Sequence, residues 1–194
     1  MSRKLCFKVD MDCVLFDLPK SIISHYNETF DDNVTDYYAS YRFSQCTKTD
    51  RKFFVDLLDQ KGLFLNLLPM VDEMLLIREL YHQGHKIIFV TKPHPSNKYC
   101  KVEKLLSLEK YFSDIEYDLV FTKDKYLILG DIFIDDDLTY ITNPDEKAFT
   151  ICYGDYGWNK DYKGVKATNV EELRDIVNKR LSVLQLENYS KVKF

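Results

Sequence analysis

Short apolar runs alternate with amphipathic segments along most of this chain. The apolar runs have the length of buried strands rather than of helices, and they cover 5–10, 86–90, 118–122, 131–134 and 149–153. Between them, apolar residues recur at the spacing of one helix face, which predicts helices over 19–30, 48–60, 71–83, 97–108 and 169–184. This alternation is typical of an α/β fold, in which a parallel sheet carries helices on both faces.

One long interval breaks the alternation. Between the first strand and the helix at 71–83, the sequence holds two predicted helices and an aromatic segment, but no run typical of a sheet strand. We therefore predict a small helical cap over 18–71, inserted after the first strand of a core that is formed by 1–17 and 72–194.

The composition limits the class of protein. The 194 residues are 45% hydrophobic and 30% charged, with a formal net charge of −4. These values predict a soluble globular protein of one domain that binds small molecules rather than nucleic acid. No segment approaches the ~20 apolar residues of a membrane span, and the N-terminus lacks a signal-peptide pattern. The five cysteines form no CxxC pair, so we expect reduced thiols, no zinc site and a cytoplasmic location.

Two carboxylates, Asp10 and Asp12, follow the first predicted strand directly. Like charges at the end of a buried strand repel each other, so their presence indicates a bound cation or a phosphate-transfer function. In that function the first aspartate attacks phosphorus, and the second transfers the proton of the leaving group. On these two residues alone, an ordinary turn with Asp12 as a helix cap is an equal alternative.

Other polar residues stand at the ends of later strands, and parallel strands place such residues at one edge of the sheet. Thr91 ends a strand, with Lys92 and His94 just after it. The Thr91 hydroxyl and the backbone N–H groups that follow suit a phosphate oxygen, although a threonine that only terminates a strand is the alternative. Asp135 and Asp136 end another strand and suit a hard cation such as Mg²⁺, with an acidic loop as the alternative.

Lysines near the same edge supply the opposite charge. Lys104 lies on the helix after Thr91, where its ammonium group can neutralise a phosphate and a carboxylate together. A solvated helix face is the alternative for Lys104. Lys123 and Lys125 add positive charge between the third and fourth strands.

Together, these residues resemble in their order the haloacid-dehalogenase-type phosphohydrolases. The chain is more specifically similar to the 5′(3′)-deoxyribonucleotidase family, through the strings FKVDMDCVLFD, TKPHPSNKYCKVEK, LEKYF, TKDK and IDDD. That family shows DMDGVLxD, T-x-P with K-Y-C-x-x-E-K, T-R-D-K and I-D-D at similar spacings. The resemblance covers residues 5–136 and implies a Rossmannoid parallel sheet flanked by helices, with a small helical cap inserted after the first strand.

The resemblance also implies a role for each matching residue. Asp10 is the nucleophile and a metal ligand, and Asp12 is the general acid/base whose backbone carbonyl contacts Mg²⁺. Asp135 ligates Mg²⁺ directly, and Asp136 supports the ion through water. The remaining roles are phosphate binding by Thr91 and Lys104, and substrate binding by the basic pair Lys123 and Lys125. We also expect Lys92 to bind the phosphate, although the family more usually has a small or apolar residue at this position.

The departures from the family pattern concern the turn after Asp12, the sugar and the base. Cys13 stands where the family has glycine, so a positive φ would be strained at this position. Leu18 replaces an aromatic residue near the sugar. Tyr37 and Tyr38 match two cap aromatics, which either stack on a nucleobase or only form the core of the cap. His94 is the one histidine near the predicted site, where a substrate contact and a solvated loop position are equal alternatives.

The resulting prediction is a Mg²⁺-dependent phosphatase that acts on deoxynucleoside monophosphates through an aspartyl-phosphate. One alternative keeps the chemistry and changes the substrate to another small phosphomonoester or a nucleic-acid 3′-phosphate. A second alternative is a non-catalytic nucleotide-binding protein, which the complete set of nucleophile, acid and lysine disfavours. We expect no membrane partner and no stable nucleic-acid partner, and a homodimer is left open.

Overall fold

The computed structural model describes residues 4–35 and 45–191, and its central feature is a parallel sheet. In chain order the strands are β1 (Cys6–Val9), β2 (Phe16–Asp17), β3 (Leu68–Pro69), β4 (Lys86–Thr91), β5 (Asp118–Phe121), β6 (Ile132–Asp135), β7 (Phe149–Tyr153) and β8 (Lys166–Ala167). Six of them form one sheet in the order β5-β4-β1-β6-β7-β8, and every pairing in it is parallel. The predicted α/β fold is therefore confirmed.

Helices follow most of these strands. They are α1 (Leu18–Phe30), α2 (Arg51–Leu58), α3 (Val71–His82), α4 (Cys100–Phe112), α5 (Leu138–Ile141) and α6 (Val170–Lys191). The start of α4 differs from the prediction, because the chain forms a turn at Asn97 before the helix begins at Cys100. The Asn97 carboxamide oxygen accepts hydrogen bonds from the backbone N–H groups of Tyr99 and Cys100, at 2.8 and 3.1 Å, and this arrangement stabilises the turn.

The centre of the sheet is buried on both faces. In β1, Phe7, Lys8 and Val9 are all 0% exposed. A lysine is tolerated at such a position only when its charge is paired. Lys8 Nζ lies 2.5 Å from Glu146 Oε2 and 4.3 Å from the centre of the Phe133 ring, which together satisfy the ammonium group.

The segment between β1 and α3 leaves and re-enters the core through an antiparallel ribbon, which the sequence did not predict. In this ribbon Phe16 pairs with Pro69, and Asp17 pairs with Leu68. Two-residue strands are too short to produce a periodic signal. Between the two strands, α1 and α2 share their own apolar cluster, formed by Ile22, Ile23, Tyr26, Cys46, Phe54 and Leu57.

Two further predictions, about membrane spans and about the cysteines, can be compared with the described residues. Within 4–35 and 45–191, no helix combines the length and apolar character that crossing a membrane requires. The five cysteines are free thiols, in agreement with the prediction of reduced cysteines.

Candidate active site

Three adjacent strands deliver polar residues to one edge of the sheet. β4, β1 and β6 lie side by side, and Thr91, Asp10 and Asp135 stand at or directly after their carboxyl ends. The backbone N–H of Asp10 donates to the carbonyl oxygen of Ile134 over 3.0 Å, which ties the turn after β1 to β6. All three polar side chains are buried. Residues far apart in the sequence therefore share one small volume.

Lys104 connects Asp12 to Thr91. Its Nζ atom lies 2.6 Å from Asp12 Oδ2 and 2.7 Å from Thr91 Oγ1, and its side chain is 1% exposed. Burial raises the pKa of the Asp12 carboxyl above its usual value, while the charge of Lys104 acts in the opposite direction. The second oxygen, Asp12 Oδ1, is buried with no hydrogen-bond partner among the described residues. Because the Lys104 side chain is buried, the alternative that it lies on a solvated helix face is wrong.

Lys125 lies between the carboxylates of Asp10 and Asp135. It begins a short 3₁₀ turn, Lys125–Leu127. Its Nζ atom is 2.8 Å from Asp10 Oδ1 and 2.6 Å from Asp135 Oδ2. Burial lowers the pKa of Lys125, but the charges of Asp10 and Asp135 outweigh burial and raise it. At Asp135 burial acts in the other direction. It raises the pKa of this carboxyl to about 7, although the charge of Lys125 lowers it.

The structure separates the two lysines that the sequence assigned to one substrate-binding pair. Lys123 is exposed, whereas Lys125 is 1% exposed and contacts Asp10 directly. The reason is the 3₁₀ turn, which points its first side chain into the site, while Lys123 precedes the turn and stays in solvent. Lys92 is exposed as well, and its carbonyl oxygen lies 3.5 Å from Lys104 Nζ.

Three carboxylates form a cluster suited to a cation. One ligand atom from each of Asp10, Asp135 and Asp136 lies within 4.8 Å of the others, and all three residues are buried. Burial raises the pKa of Asp136 well above its usual value, and the charges of Asp135 and Asp10 raise it further. The Asp12 carboxylate is not part of this cluster, because it is directed to Lys104.

The charges in the site do not balance. Among the described residues, the cationic groups that contact the carboxyl groups of Asp10, Asp12, Asp135 and Asp136 are the ammonium groups of Lys104 and Lys125. When ionised, these acids outnumber the two ammonium groups, so the site has an excess of negative charge that a cation would offset. Mg²⁺ prefers carboxylate oxygens together with water, so the donor set fits this ion.

The loop after β7 contains residues that sequence reasoning missed. Trp158, which is not among the predicted site residues, donates from Nε1–H to Asp136 Oδ2 over 2.8 Å. Asn159 Nδ2 donates to the backbone carbonyl oxygen of Asp136 over 3.0 Å. The available signal was the position of this loop at the carboxyl end of a strand next to β6.

The segment after β4 has polar contacts to Asp59, which directly follows α2. His94 Nδ1 lies 3.3 Å from Asp59 Oδ1, and the Ser96 hydroxyl donates to the same oxygen over 2.5 Å. Leu18 is half-buried at the start of α1 and packs against both the large apolar cluster around the sheet and the apolar cluster of α1 and α2. The two tyrosines predicted to contact the base, Tyr37 and Tyr38, lie outside the described residues.

Comparison with known proteins identifies the family. The sequence model of the family described as "5' nucleotidase, deoxy (Pyrimidine), cytosolic type C protein" matches residues 3–182. The chain belongs to this family. It is therefore a nucleotidase-type phosphoric monoester hydrolase, and the resemblance inferred from its motifs is confirmed.

Individual relatives agree with the family assignment. The mitochondrial 5'(3')-deoxyribonucleotidase of Homo sapiens is 24% identical over 188 residues, which cover 84% of this chain and 82% of that protein. The corresponding protein of Mus musculus is 26% identical over 144 residues, covering 70% of this chain and 66% of that protein.

Solved structures confirm the fold of this nucleotidase. A substrate-bound phosphoserine phosphatase covers 92% of this chain and 99% of its own length, at a TM-score of 0.52 and 15% identity. A haloacid dehalogenase-like hydrolase from Bacteroides fragilis covers 87% and 99%, at a TM-score of 0.53 and 12% identity. Both likenesses concern the fold alone, which is that of the haloacid dehalogenase superfamily.

The nucleotidase places a non-glycine residue where the family pattern has glycine. Cys13 adopts a φ of +61°, in the left-handed region that disfavours most side chains. Its carbonyl oxygen accepts a hydrogen bond from the Tyr156 hydroxyl over 2.7 Å, which helps to hold the turn that follows Asp12. Cys13 therefore has the positive φ at which a side chain is expected to be strained.

Proposed function

We propose that this protein is a Mg²⁺-dependent phosphatase that hydrolyses deoxynucleoside monophosphates through an aspartyl-phosphate on Asp10. The observation that carries the proposal is the division of the lysines, since Lys125 contacts Asp10 and Lys104 contacts Asp12. Two carboxylates in different surroundings can take different catalytic roles. Here one is suited to be the nucleophile and the other the acid/base.

The reaction proceeds in two displacements at phosphorus. First, an oxygen of the Asp10 carboxylate bonds to phosphorus while the bond from phosphorus to the ester oxygen breaks. Asp12 gives a proton to the departing nucleoside oxygen. A water oxygen then attacks the phosphoryl group, its proton passes to Asp12, and the bond to Asp10 breaks. Inorganic phosphate leaves and both aspartates return to their starting state.

The buried lysines serve the phosphoryl group during both displacements. Lys104 Nζ and Thr91 Oγ1 lie together beside Asp12, where they can donate to non-bridging phosphate oxygens. Lys125 holds Asp10 in place and offsets part of its charge as an anionic phosphate approaches. Donors that are already fixed in a buried site stabilise developing charge without further reorganisation.

The metal would be held by Asp10, Asp135 and Asp136. When bound, Mg²⁺ would offset the excess negative charge, so that a phosphate dianion can enter beside these carboxylates. The three buried carboxylates and the excess of acidic over ammonium groups support this assignment.

The deoxynucleotide specificity is supported by the names of the human and mouse relatives and by the apolar side chain at position 18. A ribose 2′-hydroxyl placed against Leu18 would lose its hydrogen bonds to water, which costs ~1–3 kcal/mol. His94, held beside Asp59, is the candidate contact to the sugar or base from the core side.

A cytoplasmic location and a homodimer stay predictions, and the two relatives are mitochondrial by name.

The test is phosphate release from 2′-deoxy and ribo 3′- and 5′-monophosphates, with and without Mg²⁺. We expect release from deoxynucleotides that requires Mg²⁺, and we expect Asp10→Asn to abolish it because an amide cannot attack phosphorus. Asp145→Asn is the matched control, since Asp145 is exposed and does not belong to the buried carboxylate cluster.

Three outcomes would contradict the proposal. Turnover by Asp10→Asn would remove Asp10 as the nucleophile. Release only from a nucleic-acid 3′-phosphate or from a non-nucleotide ester would change the substrate. Nucleotide binding without any release would favour the binding-protein alternative.

A further inference from the structure

The loop after β7, residues 154–159, folds two aromatic rings against each other. The turn needs Gly154, which has a φ of +83° and whose Cβ, if present, would lie 2.1 Å from the Tyr156 ring. The Tyr156 and Trp158 rings then stack with centroids 4.6 Å apart and planes 3° apart. Stacking leaves the indole little freedom to rotate.

Asn159 attaches this loop to the sheet edge. Its Nδ2 atom donates to the backbone carbonyl oxygens of Asp136 and Tyr153, both at 3.0 Å, and its Oδ1 atom accepts from the backbone N–H of Tyr156, also at 3.0 Å. Asn159 is 0% exposed. The base of the loop is therefore fixed relative to Asp136.

The stacked indole is aimed at one member of the carboxylate cluster. Trp158 Nε1–H donates to Asp136 Oδ2 over 2.8 Å, and Asp136 lies within the group formed with Asp10 and Asp135. An indole N–H is a donor only and carries no charge. It can therefore hold one carboxylate oxygen without neutralising the group, whereas a lysine at this place would compete with a cation.

We propose that Trp158 is a positioning residue that orients the Asp136 carboxylate for a divalent cation, and that the stacked Tyr156 ring keeps the indole in the required orientation. The inference rests on the metal dependence in the proposed function. Asp136 needs such a partner because Asp135 and Asp10 repel its charge. One oxygen fixed by the N–H leaves the other oxygen of the carboxylate for the ion or its water. Partners of this kind orient ligands at many metal sites.

The test compares two variants that each remove one hydrogen bond and keep both rings. Trp158→Phe removes the donor to Asp136, and Tyr156→Phe removes the donor to the Cys13 carbonyl oxygen. Mg²⁺ binding to the substrate-free protein is measured by titration calorimetry. We expect Trp158→Phe to raise the Mg²⁺ dissociation constant by about 10–100-fold, Tyr156→Phe to raise it clearly less because its ring still stacks on the indole, and the exposed control Lys160→Ala to leave it unchanged.

A second readout uses the fact that Trp158 is the one tryptophan of the chain. Its fluorescence should change as Mg²⁺ is added to the native protein, with the same midpoint as the calorimetric titration. At saturating Mg²⁺, the KM of Trp158→Phe for the nucleotide should match that of the native enzyme, while the Mg²⁺ concentration for half-maximal rate should rise.

The outcomes separate this inference from the proposed function. If the native protein binds no Mg²⁺, both the proposed function and the role of Trp158 are contradicted. If the native protein binds Mg²⁺ and Trp158→Phe binds it equally well, only the role of Trp158 falls. Equal losses in Trp158→Phe and Tyr156→Phe would mean that the loop merely supports the fold, which also overturns the inference.

Discussion

Replacing Lys125 with methionine should destabilise the metal-free protein strongly. Lys125 contacts Asp10 at 2.8 Å and Asp135 at 2.6 Å while being 1% exposed. At an effective dielectric constant of ~20, each contact is worth about 6 kcal/mol of Coulomb energy. Burying the ammonium group offsets much of this gain. The net loss expected on breaking a buried pair of this kind is ~3–5 kcal/mol.

The measurement is the free energy of unfolding by urea, with a chelator present. Lys123→Met is the matched control, because the same substitution two positions earlier affects an exposed side chain and should change stability by less than ~0.5 kcal/mol. Adding Mg²⁺ should restore part of the stability lost in Lys125→Met, since an ion that binds only the folded state stabilises it.

Two results would refute the reasoning about Lys125. If Lys125→Met and Lys123→Met lose the same stability, the buried contacts to Asp10 and Asp135 contribute nothing net. If Lys125→Met keeps the native rate of phosphate release, Lys125 does not act on the nucleophile or the phosphoryl group.

Three further predictions concern the reaction itself. Asp12→Asn should lower kcat by ~10²–10⁴-fold, as general acid/base groups typically contribute; a loss of only a few-fold at saturating substrate and Mg²⁺ would exclude that role. A chelator should abolish activity, and Asp135→Ala should raise the Mg²⁺ concentration for half-maximal rate; an unchanged metal titration curve would place the ion elsewhere. Tyr37→Ala or Tyr38→Ala should reduce activity on nucleotides more than on a minimal phosphate ester without a base, and equal losses on both would contradict base stacking by the cap.

The sequence determined the sheet and the residues at its edge. Apolar runs of strand length depend only on local composition, so β1, β4 and β7 were predicted within one residue of their ends. The rule that parallel strands end at one edge groups Asp10, Thr91 and Asp135 from the sequence alone. The family motifs added Lys104 to this group, and the structure places it there.

Only the tertiary structure decided how the charges are paired. Sequence spacing could not show that Lys125 enters the site while Lys123 stays in solvent, because a 3₁₀ turn between two strands sets that difference. Nor could it connect Trp158 to Asp136, since a hydrogen bond across 22 residues depends on how β6 and β7 pair. Periodicity and motifs report what lies within a few residues of a position, whereas the balance of a buried charge depends on every element that packs around it.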